Sequence, residues 1–262
     1  MIDGKWRKYM LTVNNEWVVS FDHLLPLDTM PDPHPALAES YDLVRWGVYG
    51  RQIDQYGNSV KDLNWAKKNG YQHDNPWSIE VLSKARCSYY VLMLTDNEGF
   101  LPDSKNSSPI VYDSIETPAE VWDNITWRKD LPKEWDDYKA WVESLKGPVF
   151  EKIGRLAVLI RRPNAPNNYH RDCDLVDECY PHRQEFAWIN WDPEQTMYVM
   201  DDEKNLHKAQ SMSGFFNHQN WHGSHESLPY WNFGLKIEGI FTEEFRKKAG
   251  IDHIERYYYE NV

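Results

Sequence analysis

The chain has few cysteines and lacks a long apolar run. Its three cysteines, Cys87, Cys173 and Cys179, are an odd number for a chain of 262 residues. A disulfide framework is therefore not expected, and a reducing, cytoplasmic setting fits better. No stretch of about 18 apolar residues occurs, which predicts no membrane span. The charged first ten residues contain no apolar segment of the kind that a secretory signal needs.

Basic residues are also in the minority. The sequence holds 41 acidic and 29 basic residues, which gives a formal net charge of −12. A negative field repels the phosphates of nucleic acids and anionic lipids, so neither nucleic acid nor a membrane is expected as a general partner. The same charge favours a neutral or cationic substrate, such as an amino acid or a basic side chain.

Aromatic residues are abundant, with thirteen Trp and sixteen Tyr, and 41% of the chain is hydrophobic. This composition provides enough apolar surface for a packed core and excludes a chain that is disordered throughout.

The C-terminal part is predicted to be rich in strands. Runs of β-branched, aromatic and other apolar residues are separated by turn residues, as is typical of antiparallel sheets. The predicted strands are 155–161, 185–191, 196–200, 208–216 and 232–241. A short helix is expected to begin after Thr242. We predict that residues 151–262 form a β core with this C-terminal helix.

Residues 1–150 are predicted to form a mixed α/β support region within the same structural domain. Short strands are expected at 17–21, 43–49 and 88–95, and helices at 77–86, after Thr117 and at 132–146. The last of these places Trp135, Tyr138, Trp141, Val142 and Leu145 on one face. The Pro-rich stretch from Pro26 to Pro35 is expected to form turns and extended backbone and to resist helix.

The motif His170-Arg171-Asp172 carries the main chemical signal. On extended backbone, side chains two residues apart point to the same face, so this imidazole and carboxylate could bind one metal ion. His222 lies 52 residues further along the chain, after three more predicted strands. Two imidazoles and one carboxylate can hold Fe(II) with three positions open, whereas a closed structural zinc site takes four ligands.

With these residues, the segment 155–241 resembles the double-stranded β-helix of the iron(II)/2-oxoglutarate-dependent oxygenases. Their pattern is His-x-Asp/Glu followed by a distal His, and the nearest branches are the aspartyl/asparaginyl β-hydroxylase-like and prolyl-hydroxylase-like proteins. The resemblance implies a mainly β (α+β) fold with a jelly-roll, or cupin, core. It also implies that Fe(II), 2-oxoglutarate and O₂ are used to hydroxylate an unactivated C–H of a small molecule, amino acid or peptide, with release of succinate and CO₂. An intact Asp172 favours hydroxylation, because the related halogenases have a small residue in its place.

In this family, a basic residue on a strand after the distal His pairs with the C5 carboxylate of 2-oxoglutarate. Lys236 is the first candidate, because an ammonium in an otherwise apolar strand requires a partner. Arg183 is the second candidate, and Asn190 could donate a hydrogen bond to the same anion.

Several alternatives stay open at this stage. His170 and Asp172 could form a loop ion pair with Arg171, and His218 or His225 could replace His222 as the third ligand. Lys236 could be a solvated edge residue, and Arg183 could pair with Glu185. The segment 170–182 could be a zinc knuckle or a calcium loop, although an acidic lid over the site is favoured.

Two other functions are compatible with the same candidate residues. One is a non-catalytic cupin-like module that binds a metal ion or a small anion. The other is a zinc-dependent hydrolase.

Overall fold

The computed structural model describes residues 16–40, 43, 45–46, 56, 89–97, 125–161, 163–164, 167–170, 185–201, 203–217 and 220–251. The helices predicted at 77–86 and after Thr117 lie outside these residues. None of the helices that the structure describes is long and apolar enough to cross a membrane.

The described chain is mainly β, with few helices and antiparallel sheets. The strands are β1 Val19–Ser20, β2 Arg45–Trp46, β3 Tyr89–Met93, β4 Thr95–Asn97, β5 Ile125–Trp127, β6 Phe150–Arg161, β7 Asn167–His170, β8 Glu185–Asn190, β9 Tyr198–Met200, β10 Leu206–Lys208, β11 Ser213–Phe215, β12 Trp221–Ser224 and β13 Asn232–Phe241. The α-helices are α1 His34–Glu39, α2 Asp136–Ser144 and α3 Glu243–Ala249, and single 3-10 turns lie at Leu27–Thr29 and Lys133–Trp135.

The strands form two larger sheets and one small one. The main sheet has seven strands in the order β1-β11-β8-β13-β6-β3-β2, and the second sheet has four in the order β10-β9-β12-β7. Strands β4 and β5 pair separately. Because β1, β2 and β3 belong to the main sheet, this sheet takes strands from both sides of residue 150.

Most of the predicted strands in the C-terminal part occur near their expected positions. Strand β13 has the predicted bounds, and β8 ends one residue before the predicted end. The predicted strand 208–216 is divided, because its first residue ends β10 and residues 213–215 form β11.

The Pro-rich stretch differs from the prediction. It contains the 3-10 turn Leu27–Thr29 and the start of α1, so the expectation that it resists helix was wrong. Pro35 lies in the first turn of α1. In that turn the backbone N–H has no intrahelical partner, so its absence in proline costs little.

Helix α2 and the 3-10 turn before it bury the predicted apolar stripe. The five residues that the periodicity placed on one face are all 6% exposed or less. They join one core with Val158 and Ile160 of β6 and with Leu235 and Ile237 of β13.

The register of β13 against β6 and β8 determines which side chains share a face of the main sheet. Lys236 lies opposite Ala157 on β6 and opposite Trp188 on β8. Since residues directly opposite one another in an antiparallel pair point to the same side, these three lie on one face and Leu235 and Ile237 on the other. The first face is turned towards the second sheet, with a cleft between them.

The C-terminal helix α3 begins at the predicted position. The Thr242 hydroxyl accepts a hydrogen bond from the backbone N–H of Phe245 at 3.1 Å, and Gly250 ends the helix in the left-handed region with a φ of 69°. Arg246 donates to the fully buried carboxylate of Glu185 at 2.9 Å, which ties the helix to β8.

We expect Gly239→Ala to destabilise the main sheet. A Cβ at this position of β13 would lie 2.5 Å from the carbonyl oxygen of Lys152 and 2.6 Å from Cδ1 of Phe150. The backbone or the ring must therefore shift, at a cost of about 1–3 kcal/mol in the free energy of unfolding. Urea denaturation measures this loss. Gly234→Ala is the matched control in the same strand, since its nearest neighbour would be 3.3 Å away. Equal losses in the two variants would contradict the prediction.

Candidate active site

Two predicted metal ligands lie side by side in the second sheet. His170 of β7 and His222 of β12 are directly opposite each other in the antiparallel pair. Both are 4% exposed. Their ring centroids are 4.3 Å apart and the ring planes are tilted by 59°. Residues 52 positions apart in sequence therefore present adjacent imidazoles on the same face of one sheet.

The position of His222 favours one tautomer of its ring. Its Nδ1 lies 2.9 Å from the carbonyl oxygen of Asn220. A carbonyl can only accept, so the proton is placed on Nδ1 and the lone pair of the ring on Nε2. This backbone contact is the kind of interaction that orients a metal-binding histidine in proteins.

His225, the alternative to His222, lies on the other face of the second sheet. Its Nδ1 is 3.0 Å from the hydroxyl of Tyr169. Tyr169 precedes His170 in β7, so its side chain points to the opposite side of the strand. The other alternative, His218, lies outside the described residues.

Asp172 and Arg183 also lie outside the described residues. Among the residues that the structure describes, no group of three or more His, Cys, Asp or Glu side chains is placed to hold a metal ion. The two imidazoles supply nitrogen donors that suit Fe(II) and Zn(II). The two histidine side chains therefore fit a transition metal as two of its ligands.

The two histidines face a cleft between the sheets. The described residues that line it are Leu159, Arg161, His170, Phe186, Trp188, Ile189, Asn190, Gln195, Met197, Phe216, His222, Gly234, Leu235 and Lys236. Among these, Arg161 and Lys236 are cations and none is Asp or Glu, so the lining has positive charge in a protein of negative net charge.

Lys236 lies in the cleft and has a carboxylate neighbour within the chain. Its Nζ is 3.1 Å from Oε1 of Glu238 and 4.9 Å from the centre of the Phe186 ring. Arg155 holds the same carboxylate, with Nε 2.8 Å from Oε2. The side chain of Lys236 is 16% exposed, which disagrees with the alternative of a solvated edge residue.

Glu238 determines the electrostatics of the cluster that it forms with Arg155 and Lys236. Burial of the carboxyl raises its pKa, but the charges of Arg155 and Lys236 have the larger combined effect and lower the pKa below its ordinary value. Glu238 therefore stays ionised and holds Lys236 at the cleft.

Asn190 and Arg161 lie on the same face of the main sheet as Lys236. Asn190 is opposite Gly234, and Arg161 is opposite Asn232. Arg161 is 6% exposed. The side-chain amide of Gln195 satisfies its neighbours in the orientation in which its oxygen accepts a hydrogen bond from Nη2 of Arg161 at 2.5 Å.

Arg161 was not predicted from the sequence as a residue of the cleft. It stands in the run Arg161-Arg162-Pro163 before a turn, and such a run is typical of a solvated strand end. The period of two along β6, which groups it with Ala157 and Leu159, is the signal that could have found it. That signal becomes specific only when β13 is known to be the neighbouring strand.

A search against models of protein families finds no match, and a search of curated proteins finds none. Among solved structures, the chain is similar to a prolyl-4-hydroxylase of Pseudomonas putida, with 13% identity over 44% of this chain and 67% of that chain, at a TM-score of 0.28. It is also similar to a prolyl hydroxylase from Trichoplax adhaerens, solved in complex with a peptide fragment of the hypoxia inducible factor oxygen degradation domain. That likeness has 11% identity over 72% of this chain and 97% of that chain, at a TM-score of 0.30. TM-scores this low do not establish a shared fold.

We expect Glu238→Gln to lower the free energy of unfolding at pH 7. The substitution leaves Arg155 and Lys236 without the carboxylate between them, which costs on the order of 3 kcal/mol for a buried pair. The pKa of Glu238 is lowered on folding, so the stabilising effect of its charge is present above the ordinary value of 4.5 and is lost as the pH falls through the folded-state pKa. The difference between the parent and the variant should therefore narrow below pH 4.5.

Urea denaturation at pH 7 and near pH 4 measures both effects. Glu243→Gln, in an exposed pair with Lys247 on α3, is the control and should change stability little. If the free energies of unfolding of the parent and Glu238→Gln differ by the same amount at pH 7 and near pH 4, an ionised Glu238 is not the cause of that difference.

Proposed function

We propose that the chain is an Fe(II)- and 2-oxoglutarate-dependent oxygenase that hydroxylates an unactivated C–H bond and releases succinate and CO₂. The observation that carries the proposal is the pair His170 and His222, in register on one sheet and facing a cleft. The opposite wall of this cleft carries Lys236.

The order of the strands supports a double-stranded β-helix, or jelly-roll, core. If β6 to β13 are numbered one to eight, the main sheet contains them in the order 6-3-8-1 and the second sheet in the order 5-4-7-2. Eight strands distributed between two antiparallel sheets in this manner are typical of jelly rolls and cupins.

In this proposal His170, Asp172 and His222 hold the iron. Two imidazoles and a carboxylate are a donor set that would hold Fe(II) and leave room for further ligands. When bound there, Fe(II) supplies a centre that takes up the 2-oxo acid and activates dioxygen. The Asn220 carbonyl orients His222 for this role.

Lys236 binds the C5 carboxylate of 2-oxoglutarate. Glu238 and Phe186 fix the position of its ammonium, and Asn190 on the neighbouring strand can donate to the same anion. The apolar walls, including Phe186 and Phe216, exclude water and so strengthen this ion pair. Arg183 is the alternative anchor.

The metal assignment predicts that anaerobic addition of Fe(II) and then 2-oxoglutarate gives a weak visible charge-transfer band, and that air then yields succinate. His170→Ala, His222→Ala and Asp172→Ala should each abolish both signals, because each removes a ligand. His225→Ala is the matched control, since His225 lies on the other face of the sheet, and it should retain both.

Normal succinate formation in both the His170 and the Asp172 variants would contradict the ligand assignment. Tight binding of Zn(II), with no visible band when Fe(II) and 2-oxoglutarate are added, would favour a zinc hydrolase or a non-catalytic cupin-like module.

The anchor assignment predicts that Lys236→Ala raises the KM for 2-oxoglutarate by about ten- to a hundredfold, the cost of a lost charged hydrogen bond. Lys236→Arg keeps the charge and should recover most of the affinity. Initial rates of succinate formation over a series of 2-oxoglutarate concentrations measure the change. A raised KM in Arg183→Ala, with an unchanged KM in Lys236→Ala, would show that the two anchors are reversed.

A further inference from the structure

The cleft has a second cationic position at a distance from the first. Arg161 is opposite Asn232 on β13, and Lys236 lies four residues further along the same strand. At the rise of a β-strand, this corresponds to a separation of about 13 Å. Because both residues belong to the same face of the sheet, they mark two places along one cleft wall.

The sheet between the two cations carries a glycine on β13. Gly234 lies midway between Asn232, which is opposite Arg161, and Lys236. A Cβ there would be 3.3 Å from the carbonyl oxygen of Ile189, 3.4 Å from Oδ1 of Asn190 and 3.9 Å from Nε2 of Gln195. The absence of a side chain at Gly234 therefore leaves room for the side chains of Asn190 and Gln195 between the two cations.

The surroundings of Arg161 hold it in position at the cleft. Arg161 is 6% exposed and contacts the amide of Gln195. The backbone carbonyl of Gln195 in turn accepts a hydrogen bond from Asn190 at 3.2 Å. A guanidinium fixed in this way offers a planar set of donors, which suits a carboxylate.

Hydrogen-bond donors are frequent among the residues that line the cleft. They include Arg161, Lys236 and the side-chain amide of Asn190. A ligand that supplies hydrogen-bond acceptors is therefore complementary to this lining.

We infer that Arg161, positioned by Gln195, binds a carboxylate of the primary substrate, and that this substrate is a small carboxylic acid such as an amino acid with a free carboxylate. The inference rests on the proposed function in one respect, which is that Lys236 is occupied by the cosubstrate. It narrows the expectation of a neutral or cationic substrate drawn from the net charge to a substrate that carries a carboxylate, because the charge that lines the cleft acts on the ligand at shorter range than the charge of the whole surface.

A thermal-shift screen tests this inference without turnover. The chain is loaded with Mn(II) and saturating 2-oxoglutarate, and the probes are the free amino acids, simple aliphatic carboxylic acids and the primary amide of each. Short peptides with free and with amidated C-termini form a second arm, which separates a small acid from a peptide end. We expect one or more free acids to raise the Tm and their amides to have no effect.

Substitutions test whether Arg161 is responsible for binding the carboxylic acids. For the stabilising acids, Arg161→Gln should weaken binding by about ten- to a hundredfold in titrations. Arg161→Lys should recover part of the affinity. Arg128→Gln is the matched control, because Arg128 pairs with Asp130 outside the cleft, and it should bind as the parent does. The Kd of 2-oxoglutarate, measured in each variant, should change little in Arg161→Gln.

Four results would overturn the inference: no stabilising acid in the panel, amides that bind as well as acids, unchanged acid binding in Arg161→Gln, or a loss of 2-oxoglutarate binding in that variant. The last would place Arg161 in the cosubstrate site. Stabilisation by peptides with free C-termini alone would replace the small acid with a peptide end. Failure of the parent chain to bind 2-oxoglutarate, together with Arg161-dependent binding of acids, would refute the proposed oxygenase and leave the carboxylate subsite standing.

Discussion

The pairing of β13 with both β6 and β8 is the constraint on which the cleft depends. Its register places Lys236 and Gly234 towards the second sheet and Leu235 and Ile237 in the core. A slip of one residue would exchange these faces, burying an ammonium in the core and placing leucine and isoleucine in the cleft. The burial of the apolar face therefore fixes the positions of the polar residues on the other side.

The charge distribution follows from the same arrangement. The chain has a net charge of −12, yet the described lining of the cleft holds two cations and no carboxylate. Glu238, which could have neutralised this lining, is instead 5% exposed and shared between Arg155 and Lys236. A carboxylate shared by two cations keeps both in place without cancelling both charges, so the site can attract an anion within an acidic protein.

Local patterns made part of this fold predictable from the sequence. Periodicity and capping chemistry predict the bounds of β13, the buried stripe of α2 and the cap at Thr242. Each of these signals depends only on residues that are close together in the sequence. The three predicted strands between His170 and His222 are compatible with neighbouring positions in a sheet, but they do not specify this pairing. The direct opposition of the two histidines depends on the register of β7 with β12, which no local pattern encodes.

Other features depended on pairings that the sequence does not reveal. The need of Lys236 for an anion was predicted, but the shared carboxylate required Arg155, 83 residues from Glu238. Arg161 belongs to the cleft only because β6 lies beside β13. The helical turns in the Pro-rich stretch were not predicted, because proline disrupts the interior of a helix but is compatible with its first turn, and the sequence does not show that α1 begins beside Pro35.

The distance between the cationic wall and the histidine pair is set by aromatic rings. Lys236 lies 4.9 Å from the centre of Phe186, the Phe186 and Phe216 ring centroids are 5.1 Å apart, and that of Phe216 is 4.7 Å from His222. Rings confined in a packed interior change their positions little, so they act as spacers between the two sheets. A ligand that reaches from Lys236 to the imidazoles must span this row, which limits its length as well as its charge. Packing and electrostatics together therefore determine which ligands this cleft can accept.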